Sequence, residues 1–584
     1  MLTKTKISWL EWSEESFKKA KQQDKPILLG ISAVWCHWCH VMDQTTYSDA
    51  EVARVIEENY VPIRVDRDQR PDIDKRYNMG GWPTTAFLTP DGDVLTGGTY
   101  IPPQQMLVML AHISMVYRKE KESLKEKIRE IRQQPHQVPH VECELDGEVF
   151  QSVIDGLTLH IASRFDSEYG GFGDAPKFPH SEALRLILLQ HRLQGHEAAL
   201  SIVEKTLTHM YRGGVYDQEE GGFFRYSTTK DWSIPHYEKM CEDNAKLLVT
   251  FLEMYQFTGE PVFKDATQGI LGYVTSKLSD QQNGGFFGSQ DADEVYYKHT
   301  LSERKSRTAP RIDQTLYVNW NGMMVSSFLL ACVVLGESRY RDFTVKTVDL
   351  LLDKAFSQEK GISHYIVDGK SFLCGLLGDQ VFMARCLLDC YQVCSDRRFL
   401  VKAESLARFM LCNLWDENSG FYDKPQNGEA LGALKLRDKP LEENSVAAEV
   451  FLRLYYLTGS QRYFDVAKKT LDFFALNYQR YGVMGSVYGL AVEWFLHPMQ
   501  IHVVGSKESE LTNRLLEQSL KAYYPIKVVE VVDPDQNMQR LKKLGYQADG
   551  VPRAYVCFGG SCSLVEDPNK IGEHIRGKTD GNNS

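Results

Sequence analysis

The spacing of apolar residues divides the chain into three regions that differ in predicted secondary structure. In the first region, apolar runs of strand length such as KPILLGIS and VPIRVD alternate with helical patterns. TTAFLTPDGDVL then predicts a strand, an Asp-Gly turn and a second strand, and a long amphipathic helix begins at QQMLVMLAHI. These patterns predict an α/β domain over residues 1–131, followed by a polar, proline-bearing linker over residues 132–145.

The second region, residues 146–498, carries apolar residues at positions i, i+3, i+4 and i+7, which is typical of amphipathic helices. Tight connections alternate with long ones that contain Gly-Gly-Phe or a related sequence. Because short loops join antiparallel neighbours, the helices are predicted to pair into six hairpins, and closure into a ring would place every long loop on one rim. The twelve predicted helices begin near residues 147, 181, 198, 236, 261, 319, 338, 379, 397, 443, 460 and 485.

The third region, residues 499–584, returns to alternating strands and helices and predicts a small α/β segment. A multidomain chain agrees with its length, since 584 residues exceed the roughly 250 to 300 residues that one hydrophobic core supports. The predicted fold class is therefore an α/β domain, a central all-α ring of hairpins and a small α/β appendage.

Composition narrows the partners that the protein is expected to bind. The formal net charge of −11 argues against nucleic acid or an anionic membrane as the main partner. No uninterrupted apolar segment of about 18 residues and no signal-peptide pattern are evident, so a cytoplasmic protein without membrane contact is expected. Twelve cysteines are too few for a disulfide scaffold. Cys557 and Cys562 bracket a Gly-Gly turn and are predicted to be buried unpaired thiols; a second disulfide or a metal site is the alternative.

A Trp-Cys-His-Trp-Cys-His motif follows the first predicted strand and opens a helix. Since a helix N-terminus stabilises thiolate, Cys36 is predicted to be an exposed nucleophile and Cys39 the resolving thiol. Pro83 stands at the start of a later strand, which fits the cis-proline of the thioredoxin fold. Haem attachment would need a secretion route, and zinc would need ligands beyond His37 and His40. We predict a redox dithiol without metal or other cofactor; two structural cysteines are the alternative.

The second group of candidate residues lies at predicted helix starts on the rim, where acids, bases and aromatics suit a carbohydrate site. A helix predicted to begin near His236 would bring Lys239, Asp243 and Asn244 onto one side, with His236 and Asp243 as an acid/base pair. Helix capping alone is the alternative. The remaining candidates for substrate binding are Asp217, Arg225, Tyr226, Asp291, Asp293, Trp320, Asn321, Asp379 and Asn444. The closely spaced acids of DADE could also act as a carboxylate pair in glycoside cleavage.

Several longer motifs together point to a known family. They are DKPILLGISAVWCHWCHVM, VDRDQRPDIDKRY, GGWPTTAFLTPDG, GGFGDAPKFPH, GGVYDQEEGGFFRYS, WSIPHYEKMCEDNA, NWNGMM and ENSVAAEVFLRL. With these motifs the chain resembles the thioredoxin-domain-containing family typified by spermatogenesis-associated protein 20. The resemblance implies a thioredoxin-like domain followed by an (α/α)6 barrel similar to N-acylglucosamine 2-epimerases and several glycosidases. Gly30 departs from thioredoxins, which carry a buried acid at that place.

These observations lead to a hypothesis of two functions in one chain. The dithiol would exchange disulfides with a protein partner, and the barrel would bind or transform a sugar-like small molecule. The alternative is a non-enzymatic scaffold that binds a protein client, with the dithiol as a redox sensor.

Overall fold

The computed structural model describes residues 6–121, 123, 126, 146–195, 197–417, 419–547 and 549–580. The predicted linker, residues 132–145, lies outside the described residues. The chain forms two compact units: the first contains Met1–Val141, Gln290–Glu294 and Pro425–Asp438, and the second contains the remainder. Two short segments from the helical region of the sequence therefore belong to the first unit.

The first unit is built on a four-stranded sheet with helices on both faces. In chain order it contains α1 (Glu14–Gln23), β1 (Ile27–Ser32), α2 (His37–Gln44), α3 (Ala50–Asn59), β2 (Val61–Asp66), α4 (Pro71–Tyr77), β3 (Thr84–Leu88), β4 (Val94–Gly98) and α5 (Pro103–Lys119). The strand order is β2-β1-β3-β4, with β1 and β2 parallel and the other two pairs antiparallel. Because both faces are covered, β3 is buried throughout and β1 is buried except at Ser32, and most of their residues are apolar.

The second unit contains a closed ring of helices. Its long helices are α6 (Gly147–Ser163), α7 (Ser181–Gln194), α8 (Glu197–Arg212), α9 (Cys241–Thr258), α10 (Pro261–Lys277), α13 (Val318–Leu335), α14 (Ser338–Ala355), α15 (Leu377–Cys394), α16 (Arg397–Asn413), α17 (Leu441–Thr458), α18 (Gln461–Phe474) and α19 (Ser486–Leu496). Six inner helices pack side by side around the ring, and the last of them closes it against the first. These inner helices are α7, α9, α13, α15, α17 and α19. Each inner helix packs against one outer helix, so the twelve helices form the six pairs that the repeat predicts.

The connections between these helices contain short elements. They are β5 (Tyr226–Ser227), β6 (Pro235–His236), β7 (Lys239–Met240), β8 (Ser289–Gln290), α11 (Glu294–Tyr297), α12 (Leu301–Arg304), β9 (Ile312–Asp313), β10 (Leu316–Tyr317), β11 (Phe356–Ser357), β12 (Gly361–Val367), β13 (Lys370–Cys374), β14 (Trp415–Asp416) and β15 (Gly420–Phe421). One predicted helix start is wrong by five residues. Pro235–His236 and Lys239–Met240 form short strands, and α9 begins at Cys241 instead of near His236.

Inner helix α13 is apolar on all sides. By length and composition alone it could cross a membrane, which corrects the expectation that no such segment exists. However, 67% of that stretch is buried inside the unit. An inner helix contacts two ring neighbours and an outer partner, and a helix surrounded in this way is apolar all round.

The carboxyl-terminal module, residues 499–580, contains β16 (Met499–Val504), α20 (Glu510–Lys521), β17 (Lys527–Val532), α21 (Pro534–Leu544), β18 (Arg553–Phe558), β19 (Ser561–Val565) and α22 (Ile571–Asp580). Its strand order, β17-β16-β18-β19, and its strand directions match those of the first unit. Val504 pairs with the first residue of β18, as Ile31 pairs with the first residue of β3. Ser509 follows Val504 by five residues, as Cys36 follows Ile31, so Ser509 occupies the position equivalent to Cys36. Both residues are helix N-caps.

The carboxyl-terminal module closes the end of the ring at which the inner helices finish. Gln256, in the last turn of α9, donates from Nε2 to Lys521 O at 2.9 Å. Lys507 Nζ donates to the carbonyl of Ser395 at the end of α15, at 2.7 Å. Arg540 donates to the carbonyl of Tyr456 in α17, at 2.6 Å. The opposite end, where the inner helices begin and the long connections lie, is the rim.

Candidate functional site

The dithiol lies at the start of α2 in the first unit. Cys36 is the N-cap residue, its Sγ accepts a hydrogen bond from the Cys39 amide at 3.2 Å, and the two cysteines form a disulfide. The prediction that Cys36 is exposed is wrong, because it is only 4% exposed, against 2% for Cys39. The Trp82–Pro83 bond is cis, and the next residue, Thr84, pairs with Ile31 of β1. The Cys36–Cys39 motif and Pro83 thus lie at the same end of the neighbouring strands β1 and β3.

Asp291, which was predicted to bind substrate at the rim, contacts His40 of the dithiol motif instead. Its carboxylate oxygens both lie 3.2 Å from His40 Nε2, next in sequence to Cys39, so Asp291 contacts the dithiol motif. The hydrogen bond from Asp291 outweighs burial and raises the pKa of His40. Asp293 belongs to the same segment of the first unit. A contact over 251 residues of sequence has no local signal, which is why the sequence pattern placed both acids elsewhere.

Gly30 lies in a tight site, so the acid that thioredoxins carry at this place would require the Trp9 side chain to shift. A Cβ atom there would lie 3.3 Å from the ring of Trp9. Instead, a fully buried acid, Asp68, accepts from Trp35 Nε1 at 2.6 Å. Arg67 lies over Trp82, 4.5 Å from the ring centroid. The sequence pattern did not single out Arg67 or Asp68, although both follow β2, whose end meets that of β1 beside the motif.

Three predicted binding residues, Asn244, Asn321 and Asn444, share one structural role at the start of an inner helix. Each accepts a backbone N–H bond from the aromatic residue of the preceding loop and donates to the same residue's carbonyl. The aromatic residue is Phe223 for Asn244, Phe286 for Asn321 and Phe421 for Asn444, and the donor–acceptor distances are 2.7–3.0 Å. Gln380 binds Ile362 in the same way. Both amide hydrogens of each asparagine are used by backbone carbonyls, so these residues secure the rim loops.

Asp217 and Lys239 form part of a buried ion cluster in a rim loop. Lys239 Nζ donates to Asp217 Oδ2 at 2.7 Å and to the carbonyl of Gly221 at 2.8 Å. Arg304, which the pattern did not indicate, donates to both oxygens of Asp217 at 2.8 and 3.0 Å. Burial lowers the pKa of Lys239 to about 8 despite Asp217. Lys177 holds Asp166 and Gly170 in the preceding loop with the same geometry, so the cluster secures a repeated turn.

His236 has a partner that the predicted helix did not provide. It lies in β6, forms a hydrogen bond through Nδ1 with Glu238 Oε2, and stacks on Tyr226 at a centroid distance of 5.1 Å. Glu238 is fully buried, and Arg225 approaches its other oxygen at 3.5 Å. The expected pair of His236 with Asp243 is replaced because the chain is extended here, so residues two apart share a face.

Asp243 is the rim carboxyl whose ionisation is most perturbed. It lies in the first turn of α9, and its Oδ2 is buried without a hydrogen-bond partner among the described residues. Burial, followed by the charge of Glu242, raises its pKa to about 7, against the opposing influence of Arg225 and Lys246. A carboxyl with a pKa near 7 can both release and accept a proton under neutral conditions.

His364 and Asp379 form a second buried histidine–carboxylate pair. His364 Nδ1 lies 2.9 and 3.0 Å from the two oxygens of Asp379, and both side chains are buried. Trp320, another predicted binding residue, is buried against Tyr317 at a centroid distance of 4.5 Å. The sequence pattern indicated Asp379 but not His364, because this histidine lies in the β12–β13 hairpin, where no Gly-Gly-Phe sequence marks the rim loop.

A cavity of about 220 Å³ lies inside the ring. Near the rim, Lys246 bridges Glu442 at 2.8 Å and Glu182 at 3.5 Å. Further in, Arg185 pairs with Glu253 at 2.7 Å. Lys246 favours ionised Glu442, but burial and the charge of Glu182 raise the pKa of Glu442 overall. The lining thus contains several charged side chains held in ion pairs, which suits a polar, hydrogen-bonding ligand.

The described residues contain no group of three or more histidine, cysteine, aspartate or glutamate side chains placed to hold a metal ion.

Comparison with known proteins supports the resemblance inferred from the motifs. Residues 2–136 match the family model Thioredox_DsbH, described as a protein of unknown function, DUF255. Human spermatogenesis-associated protein 20 is 27% identical over 715 residues, covering 97% of this chain and 89% of the relative. The rat protein of the same name is 28% identical over 711 residues, with the same coverage. The predicted resemblance to the spermatogenesis-associated protein 20 family is confirmed.

Solved structures with similar helical arrangements share little sequence with the chain. The cellobiose 2-epimerase of Spirochaeta thermophila is 14% identical with a TM-score of 0.48, covering 59% of this chain and 95% of that protein. The GH76 α-mannanase of Bacteroides thetaiotaomicron is 11% identical with a TM-score of 0.45, covering 60% and 99%.

Proposed function

We propose that the first unit is a thioredoxin-like module that exchanges disulfides through Cys36 and Cys39. The observation that carries the proposal is the position of Cys36 as N-cap of α2, bonded to Cys39 one helical turn away. The strand order β2-β1-β3-β4, with β1 and β2 parallel, supports the thioredoxin-like fold. The matching family model over residues 2–136 agrees with it.

The proposed reaction is thiol–disulfide exchange. The reduced Cys36 thiolate attacks one sulfur of a partner protein's disulfide, and the partner's other sulfur leaves with the electron pair. Cys39 then attacks Cys36 of the mixed disulfide, which releases the partner as a dithiol and leaves the oxidised pair seen here. The amide groups at the start of α2 stabilise the thiolate, and Asp291 favours the cationic form of nearby His40, which adds positive charge.

Replacement of Cys36 tests this proposal. In a chain whose Cys557 and Cys562 are both replaced by serine, Cys36→Ser is expected to abolish reduction of a fluorescent disulfide-linked probe by the dithiol-reduced protein. Cys412→Ser is the matched control, because Cys412 is an exposed free cysteine on α16 and should leave the rate unchanged. Probe reduction that survives Cys36→Ser at the wild-type rate would contradict the proposal.

The buried Oδ2 atom of Asp243, which has no hydrogen-bond partner among the described residues, favours a second function on the rim. We infer that Asp243 acts as a general acid/base on a sugar-like, polyhydroxylated substrate, with Arg225 and the cavity's charged groups binding hydroxyl groups. The pair of His236 and Glu238 supplies a second proton-transfer group, since the carboxylate fixes the orientation of the imidazole. A purely non-enzymatic scaffold is not favoured, because a buried carboxylate oxygen without a hydrogen-bond partner among the described residues opposes folding.

Proton exchange with solvent tests the second function. Wild-type protein in D2O is expected to introduce deuterium next to the carbonyl of one aldose or ketose in a panel followed by NMR. Asp243→Asn should abolish this exchange, whereas Asp280→Asn should retain it. Asp280 is a suitable control because it caps an equivalent rim turn through two backbone amides, which an asparagine oxygen also binds. Absence of exchange with every sugar would contradict this function.

A further inference from the structure

The second disulfide of the chain joins Cys557 of β18 to Cys562 of β19. The prediction that these are unpaired thiols is wrong, because the two residues lie directly opposite each other in the strand register, with Cα atoms 4.0 Å apart. We propose that this disulfide is a thiol-exchange site in its own right, at which a protein dithiol attacks Cys562 and Cys557 leaves as a thiolate. The proposal does not depend on Cys36 or Cys39.

The disulfide adds little to the hairpin that it spans. β18 and β19 pair along their whole length, from Ala554 with Val565 to Phe558 with Ser561. The two cysteines enclose only four residues, including the Gly559-Gly560 turn, and a short enclosed loop restricts the unfolded chain far less than a long one. A structural staple would be expected to join segments that are distant in sequence.

The two sulfur atoms differ in access. Cys562 is exposed on edge strand β19, whereas Cys557 is half-buried on the neighbouring strand. An attacking thiolate must approach one sulfur along the line of the disulfide bond, and the far sulfur then leaves. Access therefore selects Cys562 as the atom attacked and Cys557 as the leaving group.

Half-buried Tyr546 and buried His502 form a network placed to stabilise the Cys557 thiolate. The hydroxyl of Tyr546 lies 3.6 Å from Cys557 Sγ and 3.0 Å from His502 Nδ1. Tyr546 is held in place by stacking on Tyr555 at a centroid distance of 3.8 Å. Burial, with a smaller effect from Arg540, lowers the pKa of His502 to about 4, so the imidazole is neutral at pH 7. A neutral His502 that donates from Nδ1 leaves the Tyr546 proton free to bond the sulfur.

Charges around the network favour a protonated tyrosine. Burial raises the pKa of Tyr546 to about 12, with further contributions from Tyr555 and Glu530 and an opposing one from Arg540. Arg540 and Glu530 are themselves paired at 3.0 Å. Tyr546 therefore remains a hydrogen-bond donor at neutral pH, and a hydrogen bond to a thiolate favours its charged form.

The exchange balances without any further reactant. One thiolate of the attacking dithiol bonds to Cys562 Sγ, and the electron pair of the Cys557–Cys562 bond passes to Cys557 Sγ. The second thiol of the dithiol then attacks the mixed disulfide at its own partner sulfur, and Cys562 leaves as a thiolate. The dithiol is oxidised to a disulfide, and Cys557 and Cys562 are reduced to two thiols.

The test uses the full chain with Cys36→Ser and Cys39→Ser, so that failure of the dithiol proposal cannot affect the outcome. Folded protein is treated with reduced glutathione or dithiothreitol, then alkylated and analysed by peptide mass spectrometry. We expect dithiothreitol to reduce the disulfide well below the unfolding temperature, and glutathione to form a mixed disulfide on Cys562. Reduction only on unfolding, or glutathione on Cys557, would overturn the proposal.

Tyr546→Phe tests the leaving-group network as a positioning effect. We expect reduction to slow about fivefold, and the Cys557 thiolate absorbance at 240 nm to appear at higher pH. Tyr555→Phe is the matched control, because it removes a hydroxyl from the stacked partner ring and should change neither reading. Equal effects of the two variants, or a fall of more than about ten degrees in melting temperature on reduction alone, would show a structural disulfide instead.

Discussion

Replacing Asp243 with asparagine would show whether the rim holds a carboxyl that burial makes hard to ionise. Burial and the neighbouring Glu242 raise the pKa of Asp243 from 3.8 to about 7. In the unfolded chain this carboxyl ionises near 3.8, so the folded state binds its proton more tightly. Ionisation therefore favours unfolding: the penalty is absent below about pH 4, grows as pH rises, and is complete above about pH 7.

The expected magnitude follows from this difference in pKa. A rise from 3.8 to about 7 corresponds to roughly 4 kcal/mol of lost stability at high pH, at about 1.36 kcal/mol per pKa unit. Asparagine removes the charge but leaves a buried polar group unsatisfied, which costs about 1–2 kcal/mol. We expect Asp243→Asn to be more stable than wild type by roughly 2 kcal/mol at about pH 8.5, and no more stable than wild type at about pH 4.5.

Thermal unfolding followed by circular dichroism at 222 nm measures this crossover. Wild type, Asp243→Asn and Asp280→Asn are compared at about pH 4.5 and 8.5. The control carboxyl has a pKa held below its usual range: burial alone would raise it, but hydrogen bonds from Asn283 and neighbouring amides outweigh burial. Asp280→Asn should therefore not gain stability at high pH. A melting-temperature difference between Asp243→Asn and wild type that is equal at both pH values would refute the reasoning.

Three further predictions concern the dithiol and the rim. His40→Asn should slow probe reduction about threefold, because a nearby cation that stabilises the thiolate is lost; an unchanged rate would contradict its role. Asn244→Ala should lower stability by about 2–4 kcal/mol in urea unfolding, since it leaves two backbone groups of the loop unpaired, whereas exposed Asn413→Ala should change it by less than about 0.5 kcal/mol. Gly30→Asp should destabilise the first unit by about 1–3 kcal/mol because Trp9 must move, without faster probe reduction; wild-type stability would show that the site has room.

Most long helices of the ring could be predicted from sequence because their signal is local. Eleven of the twelve helix starts lie within two residues of the predicted position. The exception is the helix predicted to begin near His236, because Pro235 and the i+3 and i+4 spacing from His236 indicate a helix start, whereas the chain forms two short strands there. There the extended conformation places His236 beside Glu238, and the tertiary contact with Arg225 supports it.

The candidate sites were harder to predict, because their geometry depends on contacts between distant parts of the chain. Cys36, Cys39 and Pro83 follow local strand and helix signals and could be named in advance. Nothing near Asp291 in sequence indicates that it contacts His40. The rim asparagines were predicted as binding residues because a polar side chain at a helix start serves a ligand or a loop equally well. Only the observed backbone hydrogen bonds distinguish these uses.

The carboxyl-terminal module shows what the start of this helix requires apart from redox chemistry. Where the first unit has Cys36 and Cys39, the module has Ser509 and Thr512, and Ser509 Oγ accepts from the Thr512 amide at 3.5 Å, as Cys36 Sγ does from Cys39. Oxygen thus preserves the cap but cannot exchange electrons. The fold itself needs only a hydrogen-bond acceptor at the start of this helix, and either oxygen or sulfur can supply it. The same strand arrangement can therefore carry the proposed redox centre in the first unit and close the helical ring in the carboxyl-terminal module.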